Sequence, residues 1–356
     1  MIKTKVVLVG PYPPPYGGLA VQLCQWRQYL QQLGTYECAV LDIGESRTVE
    51  SPDCIPVTGY FDFLRKINTF CRNGYLVHLL TNGHNLKSWL SSFACAIAGA
   101  GYGKRTLHVY GSGDAPNYLE RGGAFIRLLA FATMKLGGRF VVRNEPMKRA
   151  LIALGADPDK VSILPGFLGV GSVPSEMVPS RTQEFINTHS PVLGATGNLD
   201  PEYGIPLMFA AVEALKSAYP RIGLLIMGLD EEARSQIEGG ERVREQVFLT
   251  GPLPHPVILS VMKQLTAFLR PTYFDGDSLS VREALALGVP VVASDTDFRP
   301  EGVILFRKGQ TNDFADKIRY VLSQNVSVSG HISLPSSSGS AERLLSIYRG
   351  LAGENG

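Results

Sequence analysis

Arg270-Pro-Thr-Tyr-Phe-Asp275-Gly-Asp277-Ser-Leu-Ser-Val-Arg-Glu283-Ala-Leu-Ala-Leu-Gly288-Val-Pro-Val-Val-Ala293 is the stretch on which the fold can be read. The apolar run Ala267–Leu269 ends at Arg270, and a polar turn follows. Ser280–Leu287 spaces its apolar residues as a short helix, and Val289–Ala293 is a second β-branched run. Strand, turn, helix and strand in succession are the repeating unit of a parallel sheet covered by helices. The turn therefore lies at a strand's carboxyl end, where such sheets bind ligands. The helix that follows starts with free N–H groups and about half a unit of positive charge, which suit a diphosphate. Asp275 precedes that helix and Glu283 lies within it. Both carboxylates are placed to accept hydrogen bonds from sugar or ribose hydroxyls. Three other readings stay open. Ser280 and Glu283 have capping-box spacing, in which Glu283 only closes the helix. Phe274-Asp-Gly-Asp277 is also ordinary turn chemistry. Asp275 and Asp277 have the spacing of two metal ligands, without an identifiable third.

The same alternation extends outward. Upstream lie Val192–Thr196, Leu207–Ala218, Ile222–Met227, Val247–Leu249 and Pro256–Lys263, enough for one parallel sheet. Before them, Gly166–Ser190 is rich in Gly and Pro and reads as a linker. Earlier still, Lys5–Val9, Leu76–Leu80, Thr106–Tyr110 and Phe140–Val142 read as buried strands. Val21–Leu33, Leu86–Ala100, Phe125–Leu136 and Pro146–Leu154 read as helices between them. Beyond the Ser- and Pro-rich stretch Asn325–Ser340, Ala341–Leu351 reads as a last short helix. The expected fold class is α/β: two Rossmann-like, doubly wound parallel-sheet domains facing across a cleft. Residues 1–170 form the first domain, 171–190 the linker, 191–330 the second domain, and 331–356 a tail and helix packing back on the first.

Composition agrees. A chain of 356 residues accommodates two domains, and 45% hydrophobic with 19% charged residues excludes general disorder. A net charge of +2 does not suggest a nucleic-acid partner. The positive charge is uneven, however: Arg127, Lys135, Arg139, Arg143 and Lys148 lie between Arg121 and Arg149, against Glu145 alone. That stretch is compatible with an anionic membrane surface, and equally with a core helix that has a basic edge. Five cysteines without Cys-x-x-Cys spacing point to a reducing compartment rather than a disulfide frame or zinc site. Met1–Gly10 reads as a first strand, not a signal peptide, and the apolar stretch Trp89–Gly103 is too short to span a bilayer. The expected location is the cytoplasm, with contact at the inner face of the cell membrane compatible with the basic stretch.

Two further motifs sit at strand ends. Gly10-Pro-Tyr-Pro-Pro-Pro-Tyr-Gly17-Gly18 joins the first strand to a helix. Its paired glycines let a backbone approach an anionic ligand, or only ease a proline-stiffened turn. No Gly-x-Gly-x-x-Gly or Gly-x-x-x-x-Gly-Lys-Ser/Thr occurs, which argues against dinucleotide binding and P-loop hydrolysis. His108, near the end of Thr106–Tyr110, is either a ligand contact or a core histidine. The remaining histidines, His255 among them, read as structural or exposed. The absence of a Gly-x-Ser-x-Gly elbow and of His-Glu-x-x-His removes serine hydrolase and zinc protease chemistry.

Taken in order, these segments resemble the retaining glycosyltransferases of family 4, which have the GT-B fold. The Gly17-Gly18 loop is similar to the family's N-terminal glycine loop, and His108 falls where the family has a histidine near the donor sugar. Gly197-Asn198-Leu-Asp-Pro-Glu-Tyr203-Gly204 opens the second domain, where the family has a Gly-Arg-Leu and Lys-Gly pattern. Thr250-Gly-Pro252-Leu253 looks like the loop that meets the nucleobase. The segment ending at Glu283 looks like the Glu-x7-Glu signature, with Asp275 in the first glutamate's place. The resemblance implies that Glu283 holds the donor's ribose hydroxyls and that His108 and Asp275 meet the transferred sugar. Gly276, Ser278, Leu279 and Ser280 would then face the diphosphate. Asn198 and Tyr203 replace the family's usual cations, leaving Arg270 and Arg282 as the nearest substitutes. The implied activity is sugar transfer with retained configuration, from a nucleotide-sugar to a glycan or lipid-linked acceptor, in cell-surface polysaccharide or glycoconjugate synthesis. No cofactor and no essential metal is implied. Two alternatives are a nucleotide-sugar 2-epimerase and a non-catalytic subunit that only binds nucleotide-sugars.

Overall fold

The computed structural model describes residues 3–44, 52–103, 106–166, 177–296, 298–324 and 337–353. The chain divides into two compact units. Unit 1 is Met1–Val170 with Pro335–Gly356, and unit 2 is Gly171–Leu334.

Unit 1 alternates strands and helices: β1 (Thr4–Gly10), α1 (Gly18–Leu33), β2 (Tyr36–Asp42), β3 (Ile55–Pro56), α2 (Tyr60–Arg72), β4 (Leu76–Thr81), α3 (Leu86–Gly101), β5 (Thr106–Tyr110), α4 (Ala115–Arg121), α5 (Ala124–Leu136), β6 (Arg139–Val142), α6 (Glu145–Ala153) and β7 (Val161–Ile163). The strands pair in the order β3-β2-β1-β4-β5-β6-β7, every pairing parallel. Because side chains alternate along a strand, β1 feeds two cores at once. Val6 and Leu8 pack with Leu23 and Trp26 of α1, while Val7 and Val9 pack with Phe63 of α2 and Cys95 of α3.

Unit 2 repeats the plan with α7 (Ser180–Thr188), β8 (Val192–Thr196), α8 (Ile205–Leu215), β9 (Gly223–Met227), β10 (Val247–Leu249), α9 (His255–Met262), β11 (Ala267–Arg270), α10 (Leu279–Ala286), β12 (Val291–Ser294), β13 (Val303–Phe306) and α11 (Thr311–Gln324). Its six strands are also all parallel, in the order β10-β9-β8-β11-β12-β13. α8 and α11 cover one face of this sheet and α9 and α10 the other. Both units are thus Rossmann-like parallel sheets. Of the stretch read as a linker, residues 180–188 form α7, whose Phe185 and Ile186 pack against the unit 2 core. Residues 171–176 lie outside the described residues.

The last helix, α12 (Ser337–Ala352), belongs to unit 1. Ala341, Leu344 and Tyr348 pack in the same core as α1 and β1. The Tyr348 hydroxyl accepts from Trp26 Nε1 at 2.7 Å and lies 2.5 Å from His78 Nδ1.

Candidate functional site

The carboxyl edge of the unit 2 sheet gathers most of the residues singled out from the sequence. α10 begins after Ser278, and no side chain caps its amino end. The capping-box reading falls here. The cap position is Ser278, two residues before Ser280, so Ser280 already lies inside the helix and Glu283 in its second turn. Ser280 Oγ is instead 3.3 Å from Thr196 Oγ1, at the end of β8, and 3.2 Å from Ser278 Oγ. Three hydroxyls and unpaired helix N–H groups share this edge, a setting that favours an anion.

Glu283 is buried, and its Oε1 accepts from Nε2 of His255 at 2.6 Å. His255 is the first residue of α9, between two prolines, so the histidine read as structural or exposed in fact faces Glu283. One carboxylate oxygen is thus fixed by the protein.

Asp275 is in a different state. Its Oδ2 accepts from Arg270 Nε at 2.9 Å, Arg299 Nη1 at 2.8 Å and Thr272 Oγ1 at 3.1 Å. Burial alone would raise its pKa, but the two guanidinium groups hold the carboxyl at about 2. Arg299 is spent in this network. Its Nε donates to Ser294 O, and its Nη2 to Thr272 Oγ1 and Ser294 Oγ. Arg270 is not: it lies over the Tyr203 ring at 4.9 Å, and among the described residues only its Nε has a hydrogen-bond partner. Arg282, the other candidate cation, is buried against Asp277, Nε to Oδ1 2.6 Å, and over the Phe298 ring. With Asp275 and Asp277 each bound to arginine, neither is set up as a metal ligand. Among the described residues no three His, Cys, Asp or Glu side chains converge as a metal site requires.

Other expected residues stand apart from this cluster. Leu253 packs with Ile258 and Val281 in the core, and the exposed side chains of its loop are Pro252 and Pro254. Asn198 closes its own turn, accepting from Asp200 N at 2.8 Å. Gly276 and Leu279 are buried beside Ser278. In unit 1, Gly17 and Gly18 begin α1 on the surface, and a side chain at either would meet open space. Nothing in the folded chain itself demands glycine there.

His108 is the main correction. It is 0% exposed, stacked on Phe140 with centroids 5.3 Å apart, and its Nε2 is 2.6 Å from Thr106 Oγ1. Burial pushes its pKa down to about 3. A ring at the middle of β5 is sealed in the core and offers no surface to a sugar, yet it is not a fully satisfied core histidine: among the described residues its buried Nδ1 has no hydrogen-bond partner.

Against this geometry the comparisons can be set. Residues 190–324 match the family model for Glycosyl transferases group 1. That segment contains α10, Glu283, His255, Asp275 and both of its arginines. A D-inositol 3-phosphate glycosyltransferase from Segniliparus rotundus is 25% identical over 155 residues, 42% of this chain. The match spans about a third of that relative's length, 34%. Sucrose-phosphate synthase from Thermosynechococcus elongatus has the same fold, with a TM-score of 0.69 at 17% identity over 99% of this chain and 97% of that one. A putative UDP-N-acetylglucosamine 2-epimerase from Listeria monocytogenes superposes equally well, with a TM-score of 0.69 at 19% identity over 99% and 98%. The fold is therefore the two-unit GT-B architecture, and a synthase and an epimerase both use it. Fold alone does not choose between those chemistries.

Sequence reasoning missed His255 and Arg299. Each follows the carboxyl end of a strand, β10 and β12, which was the signal available. Their partners lie 28 and 24 positions away in the chain, too far for local spacing to disclose.

Proposed function

We propose that the protein moves a sugar from a nucleotide-sugar donor to a glycan or lipid-linked acceptor, with retained configuration and without a metal, in the synthesis of a cell-surface polysaccharide or glycoconjugate. Unit 2 holds the donor. The observation that carries this reading is the buried Glu283, fixed by His255 beside an uncapped helix end. The glycosyltransferase family match over residues 190–324 supports it.

On this reading Glu283 grips the ribose hydroxyls with its remaining acceptor capacity. The diphosphate lies at the amino end of α10, against the N–H groups of Leu279 and Ser280. Arg270 supplies the positive charge lost where Asn198 and Tyr203 stand, because among the described residues its two terminal nitrogens make no hydrogen bond. As the bond to the leaving phosphate breaks, an oxocarbenium-like centre forms. The helix end and Arg270 then stabilise the negative charge growing on the nucleoside diphosphate. Asp275, its Oδ2 held by three donors, keeps Oδ1 for the sugar and aims Arg270. Gly17 and Gly18, open to solvent, let a ligand approach the backbone of unit 1.

Titration calorimetry with a panel of nucleotide-sugars tests this reading. One donor is expected to bind, and Glu283→Ala to weaken it about a hundredfold through loss of charged hydrogen bonds. Equal affinity in the variant would sink the assignment. The epimerase reading, favoured by the Listeria neighbour, is separated by NMR of UDP-N-acetylglucosamine incubated without acceptor: inversion at C2 supports it, an unchanged sugar removes it.

A further inference from the structure

Helix α5 is apolar on its outward face as well as its inward one. On a helix that packs against a sheet, large apolar residues turn inward. Here Leu129, Ala130, Thr133 and Met134 are buried, yet Phe125, Leu128 and Phe131 stay 62%, 65% and 43% exposed. They follow each other at three-residue steps, so they lie along one outward strip of the helix. α3, which packs alongside α5, also exposes an apolar side chain, Ile97. α5 carries no carboxylate; its charges are Arg127 and Lys135, both exposed. Lys135 lies over the Phe131 ring at 5.3 Å, and Arg127 has only a long contact, 3.5 Å, to Glu120 O. Arg121 ends α4 just before it, also exposed. The basic stretch of the sequence is thus narrower than its count of cations. Arg143 is buried, donating to Leu164 O, Pro165 O and Gln22 Oε1, and Arg139 donates to Asp159 O.

We infer that this face of α5 docks unit 1 on an anionic lipid bilayer. Three apolar side chains that no element covers among the described residues suit the boundary between headgroups and acyl chains. The cations among them, with no acid on the helix, suit anionic headgroups, and the Lys135 stem spans apolar surface to bring its ammonium there. A second copy of the chain would have to accept Arg121, Arg127 and Lys135 against its own cations, since a two-fold contact brings a patch onto itself. The inference names the surface behind a lipid-linked acceptor, but it stands on unit 1 alone, and its test reads no sugar transfer.

The test is co-sedimentation of the full chain with vesicles of phosphatidylcholine alone, or of equal parts phosphatidylcholine and phosphatidylglycerol, at low and high salt. The chain is expected to pellet with the anionic vesicles and not with the neutral ones. Phe125→Ser with Leu128→Ser should lower the bound fraction about tenfold at either salt. Arg127→Glu with Lys135→Glu should lower it by a similar factor at low salt. All four positions are exposed, so melting temperatures should match the wild type; the charge pair keeps the test readable if the apolar pair misfolds. A chain that stays in the supernatant with anionic vesicles, or two variants that pellet like the wild type, would overturn the inference. So would a dimer in size-exclusion chromatography that Leu128→Ser dissolves.

Discussion

A carboxylate that is to grip a hydroxyl must be oriented before the ligand arrives, and Glu283 is oriented by one imidazole N–H. His255→Ala removes that bond and frees the carboxylate to rotate or take up water. Loss of a hydrogen bond to a charged group is worth about 1.5–3 kcal/mol, so donor affinity should fall about tenfold or more. His255→Gln keeps an N–H donor within reach and should restore most of it. A histidine that only fills space would give the same affinity in both variants, which calorimetry would show. Glu283 was legible in the sequence because strand, turn and helix are local and its place in them is set by spacing. His255 was not, because the contact is made by α9 folding against α10. His108 was misread for a related reason. Thr106-Leu-His-Val-Tyr110 alternates as a buried strand does, but nothing in five residues tells where the strand leaves the core. The position of Asp275 in the turn before α10 was legible, but the arginines that consume its Oδ2 were not.

Elements were legible where one covalent stretch carries its own pattern. Thr106–Tyr110 and Val192–Thr196 have the expected bounds, and α3 extends one residue past them. Eight elements escaped: β2, β3, α2, α4, β7, α7, β13 and α11. β2 opens with a half-buried Tyr36 and an exposed Glu37, so its apolar run looks too short. α2 buries only Phe63, Ile67 and Cys71 on one narrow stripe and reads as polar. α12 was legible as a helix, but its partner was not, since Tyr348 bonds residues more than 250 positions earlier. That contact fastens the last helix to unit 1 and gives the next expected outcome. Tyr348→Phe removes the hydroxyl that Trp26 Nε1 and His78 Nδ1 share, at about 1–3 kcal/mol for a buried polar group that loses its hydrogen bond. Urea unfolding followed by tryptophan fluorescence should show a lower midpoint with an unchanged slope. An unshifted midpoint would mean that apolar packing alone holds α12.

At the scale of the whole molecule the two units differ in what acid does to them. Burial pushes His78 and His108 in unit 1 down to about 3 from an ordinary 6.5, with the Arg143 charge lowering His78 further. Both are neutral when folded and would protonate near 6.5 when unfolded. Their contribution is therefore fully present above pH 6.5 and lost as pH falls toward 3, by on the order of 1.4 kcal/mol per pH unit for each histidine. Asp275 in unit 2 is depressed from 3.8 to about 2, so its contribution persists above pH 3.8 and is lost only below it. Unit 1 should then weaken first, between pH 6.5 and 4. Both tryptophans, Trp26 and Trp89, belong to unit 1, so fluorescence reports that unit alone while far-ultraviolet circular dichroism reports both. In thermal melts the two signals should separate as the pH is lowered, fluorescence leading. His108→Leu, which keeps the volume and removes the proton, should shrink the separation by about half. Coincident curves at every pH, or a variant that melts with the wild-type pH dependence, would show that the buried histidines do not set the acid limit of unit 1.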